Sequence, residues 1–274
     1  MCLIAWNWQP DSETPLLLLA NRDEFYQRPA LPLHWWDDAQ VLAGRDLQAG
    51  GTWLGVNRLG RLAALTNYRL PNADDKPRPS RGALVADFLQ GDLDAPDYLA
   101  ALAVRAGDFN PFNLLLFDGR RLMGLESRNC RVVDLQPGIG GVSNADFDTP
   151  WPKLLRLKAS MQARGLAGYA DAAQLLMLLQ DNRHAAEAEL PQTGVPLELE
   201  RALSATFIAS GHYGTRASSI VRLGATRCEF FEQTYGAQGK LTATQQFFTL
   251  QAITPWASTD RRVRQLPVAR TICL

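Results

Sequence analysis

Two apolar runs open the chain, Cys2-Leu3-Ile4-Ala5-Trp6-Asn7-Trp8 and Leu16-Leu17-Leu18-Leu19-Ala20. Short apolar runs bounded by turn residues predict buried strands, here over 2–8 and 16–21. The turn-rich connection over 9–15 suits a hairpin between them. Further strands are expected over 41–44 and 52–56, then a turn at Asn57-Arg58-Leu59-Gly60 and a strand over 61–68. The segment 69–80 carries Pro71, Pro77 and Pro79 and reads as an exposed loop. Ser80 is placed to cap a helix over about 81–90, with Leu84, Val85, Phe88 and Leu89 on one face. A second helix over 95–106 carries Tyr98, Leu99, Leu102 and Val104. Strands return over 113–117, 122–126 and 131–135, and Gly138-Ile139-Gly140-Gly141 reads as a flexible lead into Val142-Ser143-Asn144. Helices are expected near 151–164 and 171–180. The last third is strand-like again, over 205–209, 218–223, 229–234 and 247–251.

The elements come in blocks: strands, two helices, strands, two helices, strands. Helices that do not alternate one by one with strands argue for an α+β fold with antiparallel sheets. Two sheets stacked face to face with helix pairs outside would use these elements. No internal repeat or convincing linker divides the chain, so residues 1–274 are expected to form a single domain. Of 274 residues, 46% are hydrophobic, enough for a sizeable core.

Charge narrows the partners. Lys and Arg number 28, as do Asp and Glu, and the basic residues do not cluster. Arg78 and Arg81 flank the proline-rich loop, and Arg261, Arg262 and Arg264 lie near the C-terminus; both groups read as solvated. That argues against nucleic acid or an anionic membrane as the main partner. No apolar stretch approaches the roughly 20 residues of a spanning helix, and the N-terminus lacks the pattern of a secretory signal. The four cysteines, at 2, 130, 228 and 273, form no CxxC pair, and the three histidines have no metal-ligand spacing. No metal and no cofactor are expected, and the cysteine usage fits a reducing, cytoplasmic setting.

Candidate chemistry begins at Cys2. If Met1 is removed, a thiol and a free α-amine share one residue, a complete nucleophile and base. Their reference pKa values are well matched, about 8.5 for the thiol and about 7.7–8.0 for the amine. The second strand ends in Asn21-Arg22-Asp23-Glu24-Phe25, so charges fall within reach of the chain start if the two runs pair. A nearby Arg would lower the thiol pKa.

Cys2, the Asn21 to Phe25 segment, Gly50-Gly51-Thr52-Trp53-Leu54-Gly55, Thr66-Asn67-Tyr68 and Gly141-Val142-Ser143-Asn144 together resemble the NRDE family, the transport and Golgi organisation protein 2 family. Tyr213-Gly214-Thr215-Arg216 fits the same pattern. That family resembles the cysteine N-terminal-nucleophile hydrolases, whose fold is a four-layer αββα sandwich. The resemblance implies that Cys2 attacks, that Asn67 lines the oxyanion hole, and that Asn144 holds the α-amine or lines the pocket. It makes Arg216 a late Arg near the nucleophile. It sets Glu24 at the enzymes' Asp position and Asn21 at their Arg position, displacing the Arg to Arg22. Strand alternation would turn that neighbouring position to the other face. A carboxylate, Glu24 or Asp23, could orient the α-ammonium or Arg22. Trp53 and Tyr68 join Asn21 and Asp23 as candidate binding residues.

The implied function is hydrolysis of a small non-peptide amide through a Cys2 thioester. The alternative is a binding or trafficking protein for haem or an acyl-CoA or lipid ligand, since the family has been linked to haem trafficking. The individual residues also admit plainer readings. Asn67 and Asn144 could be turn residues, and Arg22 with Glu24 a strand-end ion pair. Trp35-Trp36 could line a pocket or pack at an edge. His212 could be a base or a haem ligand, though a lone His is more often neither.

Overall fold

The computed structural model describes residues 2–37, 40–70, 78–165, 171–224 and 226–250. Met1, residues 71–77 of the expected loop, Gln251, Arg261, Arg262, Arg264 and Cys273 lie outside the described residues. In chain order the strands are β1 (Cys2–Trp8), β2 (Leu16–Phe25), β3 (Ala30–Trp35), β4 (Val41–Asp46), β5 (Leu54–Asn57) and β6 (Leu62–Asn67). Helices α1 (Gly82–Gln90) and α2 (Ala95–Val104) precede β7 (Phe112–Phe117), β8 (Leu122–Glu126), β9 (Arg131–Asp134) and β10 (Gly138–Val142). Helices α3 (Pro152–Ala163), α4 (Ala172–Leu179) and α5 (Leu197–Ala202) lead into β11 (Tyr213–Leu223), β12 (Arg227–Tyr235) and β13 (Leu241–Leu250).

Two antiparallel sheets result, ordered β10-β1-β2-β11-β12-β13 and β3-β4-β5-β6-β7-β8-β9. Strand alternation divides each sheet's apolar residues between two faces. Ile4, Trp6, Leu16, Leu18 and Ala20 of the first sheet meet Leu42, Val56, Leu62 and Leu115 of the second in a shared core. The alternate residues face outward. Leu3, Ala5, Leu17 and Leu19 pack under α3 and α4. Val41, Ala43, Ala63, Leu114 and Leu116 pack under α1 and α2. Helix, sheet, sheet and helix thus form the expected four-layer αββα sandwich. No described helix is long and apolar enough to cross a membrane.

Several elements differ from the sequence expectation. β10 is an edge strand, not a flexible lead: Ile4 pairs with Val142 and Trp6 with Gly140. Its glycines answer to packing. A Cβ on Gly140 would sit 2.5 Å from the Trp6 ring, and one on Gly141 would lie 2.4 Å from Leu154 Cδ1. β1 is therefore an inner strand, second from that edge. The expected strand over 205–209 reduces to a single bridge from Ala209 to Gly214, and β11 starts earlier than expected, at Tyr213. Ser80 does not cap α1: the capping position is Arg81, and Ser80 Oγ instead accepts from the Gly82 amide at 3.3 Å. Val104, expected on the buried face of α2, is 76% exposed.

Candidate active site

The β1–β2 ladder sets the site. Cys2 lies opposite Arg22, so the two side chains share the inner face of the sheet with Ile4 and Ala20. This corrects the expectation that displacement to position 22 turns the Arg away. The residue on the other face is Asn21, which is turned toward the helix side. Asn21 is fully buried, and its Nδ2 donates to the Leu179 and Thr206 carbonyls, both at 2.8 Å. Its Oδ1 accepts from Ser218 Oγ at 2.6 Å.

Cys2 opens onto a cleft of about 570 Å³ between the ends of the two sheets. Arg22, Glu24, Asn67, Trp53 and Arg216 line it, joined by Asp23. Arg22 donates to Asp46 Oδ2 at 3.3 Å, and Arg28 to the same oxygen at 2.5 Å. Burial alone would raise the Asp46 carboxyl, but the Arg28 bond, the Ala49 amide and the charges of Arg28 and Arg22 hold it low. Glu24 sits at the rim, accepting from the Phe25 amide at 2.8 Å with Arg28 3.9 Å away. Arg216 reaches the cleft through a bulge. The ladder runs Thr215 opposite Asp23 and then Ala217 opposite Arg22, which leaves Arg216 as the extra residue. Its guanidinium donates to the Phe25 carbonyl at 3.2 Å and to the Arg28 carbonyl.

Besides Asn21, two expected residues stand outside the cleft lining. Asn144 is buried behind Asn67, donating from Nδ2 to the Asn67 carbonyl at 2.7 Å. Its own carbonyl accepts from the Arg69 amide at 2.8 Å, and its neighbour Ser143 donates to the Cys2 carbonyl at 3.2 Å. This pair fixes the backbone of both Cys2 and Asn67, so Asn144 positions the site without lining it. Tyr68 points away, its hydroxyl accepting from Arg128 at 3.0 Å. Trp35 and Trp36 also lie outside the lining, stacked under Arg58 and Arg45.

Burial pushes the Cys2 thiol up; Arg22 works against this, and Asp23 and Glu24 add to it. Desolvation thus outweighs the Arg expected to lower it. Cys2 is 7% exposed. Beneath it, on the helix side of the sheet, Asp23 Oδ1 accepts from Thr215 Oγ1 at 2.8 Å, and Oδ2 lies 4.0 Å from Lys153 Nζ. Burial raises the Asp23 carboxyl against the pull of Lys153, and lowers the Lys153 ammonium to about 8 against the pull of Asp23.

The motif glycines support this geometry. A Cβ on Gly51 would lie 2.4 Å from the Gly82 carbonyl carbon, so the loop before β5 meets the start of α1 backbone to backbone. That contact brings Arg81 to the cleft. Sequence reading passed over Arg81 as solvated, and assigned nothing to Arg28, Asp46, Lys153 or Glu232. Glu232 on β12 is 3% exposed and lines the cleft. It accepts from the Leu33 amide of the other sheet at 2.8 Å, and burial pushes its carboxyl up to about 7.

A family model described as Transport and Golgi organisation 2 matches residues 1–237. The chain belongs to that family. It is 34% identical to the Transport and Golgi organization protein 2 homolog of Bos taurus over 290 residues, covering 96% of this chain and 99% of that one. The Homo sapiens homolog is 35% identical over 251 residues, 82% of this chain and 89% of that one. Among solved structures, a mutant conjugated bile acid hydrolase from Clostridium perfringens matches with a TM-score of 0.49 at 10% identity, covering 90% of this chain and 92% of that one. A Caenorhabditis elegans ortholog of N-acylethanolamine-hydrolyzing acid amidase matches with a TM-score of 0.46 at 10% identity, covering 80% and 92%.

Proposed function

We propose that this protein is a cysteine N-terminal-nucleophile hydrolase of a small non-peptide amide. The observation that supports this most is the pairing of Cys2 with Arg22 at the wall of a cleft that Asn67 also lines. Removal of Met1 would leave the α-amine on Cys2. That amine takes the thiol proton as sulfur attacks the substrate carbonyl. A thiol raised by burial suits this order, because it stays neutral until its proton has an acceptor. Asn67, whose side-chain amide makes no hydrogen bond to the described residues, is free to donate to the developing oxyanion. One such donor is typically worth about 2.7–4 kcal/mol. The tetrahedral intermediate collapses as the C–N bond breaks, and the α-ammonium returns its proton to the leaving amine. Water, deprotonated by the same α-amine, then attacks the Cys2 thioester, releasing the acid and restoring the thiol. Asp23, buried beside the start of β1, orients the ammonium form, and Lys153 keeps that carboxylate charged.

A carrier reading is favoured by one feature, the row of guanidinium groups in the cleft. The same cations could hold haem or an acyl-CoA without chemistry. A panel of amides and thioesters separates the two. The hydrolase reading expects turnover that Cys2→Ala abolishes and Cys2→Ser strongly reduces. Stoichiometric haem or acyl-CoA binding, with no turnover across the panel and no effect of Cys2→Ala, would reverse the choice.

A further inference from the structure

We propose that Arg81 and Arg216 form an anion-binding subsite that receives a carboxylate or phosphate group of the ligand. This deepens the reading of the cleft as the substrate site, and rests on that reading only for the ligand's being a substrate. The argument comes from how the cleft's charges are partnered. Asp46 serves both Arg22 and Arg28, and Glu24 approaches Arg28. Arg81 and Arg216 differ. Arg81 donates to the Pro111 carbonyl at 3.2 Å, and Arg216 to the Phe25 and Arg28 carbonyls. Among the described residues, neither has a carboxylate at ion-pair distance. Each guanidinium carries five N–H donors in a fixed fork, and each uses only those of one terminal nitrogen, on main-chain carbonyls.

Their surroundings raise the cost of that arrangement. Burial works against the charge on both, Arg28 adds repulsion at Arg81, and Arg22 adds it at Arg216. Glu24 draws on both from a distance, and Asp46 on Arg216, but half-buried cations beside like charges, with no carboxylate in contact, call for an anion from outside. The two residues come from opposite sheets' elements, Arg81 from the start of α1 and Arg216 from the β11 bulge, and both line the same cleft. The first residues of α1 open there too, so the helix dipole adds a field of the same sign. Cys2 lines the same cleft as Arg81 and Arg216. The bound anion therefore sits in the nucleophile's own cleft. The substrate class this selects is an amide or thioester with an acidic group a few bonds from its reacting carbonyl. Fork-like guanidinium donors suit carboxylate and phosphate alike.

The test is calorimetric titration of the full chain at low ionic strength, with glutarate in one arm and inorganic pyrophosphate in the other. It involves no turnover, so a failure of the hydrolase reading leaves its outcome interpretable. Saturable one-site binding of at least one anion is expected, and the anion that binds tighter names the source. Arg81→Gln and Arg216→Gln should each weaken that binding by about tenfold or more, the worth of a charge-assisted hydrogen bond. Arg81→Lys should recover part of the loss, and the distant surface variant Arg183→Gln should bind as wild type does. Melting curves identify any variant that fails to fold. For that case the wild-type protein supplies a second measurement, protection of Cys2 from iodoacetamide by the same anions. Absence of saturable binding, wild-type affinity in both Gln variants, or absence of protection would each overturn the subsite.

Discussion

Lys153 offers the sharpest perturbation. It is the second residue of α3, where the helix dipole disfavours a cation, and it is 2% exposed. Among the described residues its Nζ makes no hydrogen bond, and it lies 4.0 Å from Asp23 Oδ2. Its pKa falls from 10.5 to about 8, chiefly through burial. That difference corresponds to about 3 kcal/mol of penalty while both folded and unfolded states are protonated. The folded state binds fewer protons than the unfolded one between about pH 8 and 10.5, so this residue makes stability rise with pH across that window. Lys153→Met removes the rise, but leaves the Asp23 carboxylate buried without its cation. Breaking one side of a buried pair costs about 3–5 kcal/mol. The variant's Asp23 pKa, already raised in the wild type, should climb further. Its stability should then fall more steeply than wild type as pH rises from the ordinary Asp value through that raised one. Lys153→Met combined with Asp23→Asn deletes both charges and should regain most of the loss. Urea unfolding of wild type, both single variants and the double variant at several pH values measures the coupling directly. An unchanged pH dependence in Lys153→Met, or additive effects in the double variant, would refute the reasoning.

Three further outcomes follow from the same geometry. Glu232 has a folded pKa of about 7 against an ordinary 4.5, so it makes stability fall as pH rises across that interval. Glu232→Gln should flatten the fall between urea midpoints taken at pH 5 and pH 8, and a fall of unchanged size would sink the assignment. Gly51→Ala drives a Cβ to within 2.5 Å of the Gly82 carbonyl, backbone against backbone, and should cost about 1–3 kcal/mol as overpacking. An unshifted melting temperature would contradict that contact. Asn144→Ala strips the Asn67 carbonyl of its 2.7 Å donor and should cost about 1–3 kcal/mol in chemical denaturation; a loss below about half a kcal/mol would make that bond dispensable.

Much of the architecture was legible because short apolar runs bounded by turn residues marked the strands. β1 and β2 read as buried runs, and both faces of each proved covered, one by the second sheet and one by helices. Blocks of helices between blocks of strands carried the layer order. What escaped detection depended on partners distant in sequence. β10 looked like a flexible glycine run because nothing local reveals that the Trp6 ring lies across Gly140. The start of β11 was hidden by the Arg216 bulge, which breaks the alternation between Thr215 and Ala217.

The site divides in the same way. Cys2, Asn67, Arg22, Glu24, Trp53 and Arg216 were nameable from motifs, and the cleft brings them together. The register that puts Arg22, and not Asn21, on the face of Cys2 needed the ladder itself. Lys153 and Glu232 gave no signal, since a single charge on a helix or strand reads as solvated until something covers it. Arg81 carried one weak clue, its place just after Ser80 at the start of a helix facing the Gly50-Gly51 motif. The close approach of Gly51 to Gly82 converts that clue into a position in the cleft.

The central claim is that Cys2 becomes the chain's first residue and carries the acyl group. Intact-mass analysis of the native protein, alone and after brief exposure to an activated acyl thioester bearing a carboxylate, tests it most directly. The account predicts a mass lower than the full sequence by one methionine residue, followed by a single acyl adduct that maps to Cys2 and is absent in Cys2→Ala. Retention of Met1, or a processed protein that gains no adduct on Cys2, would contradict it.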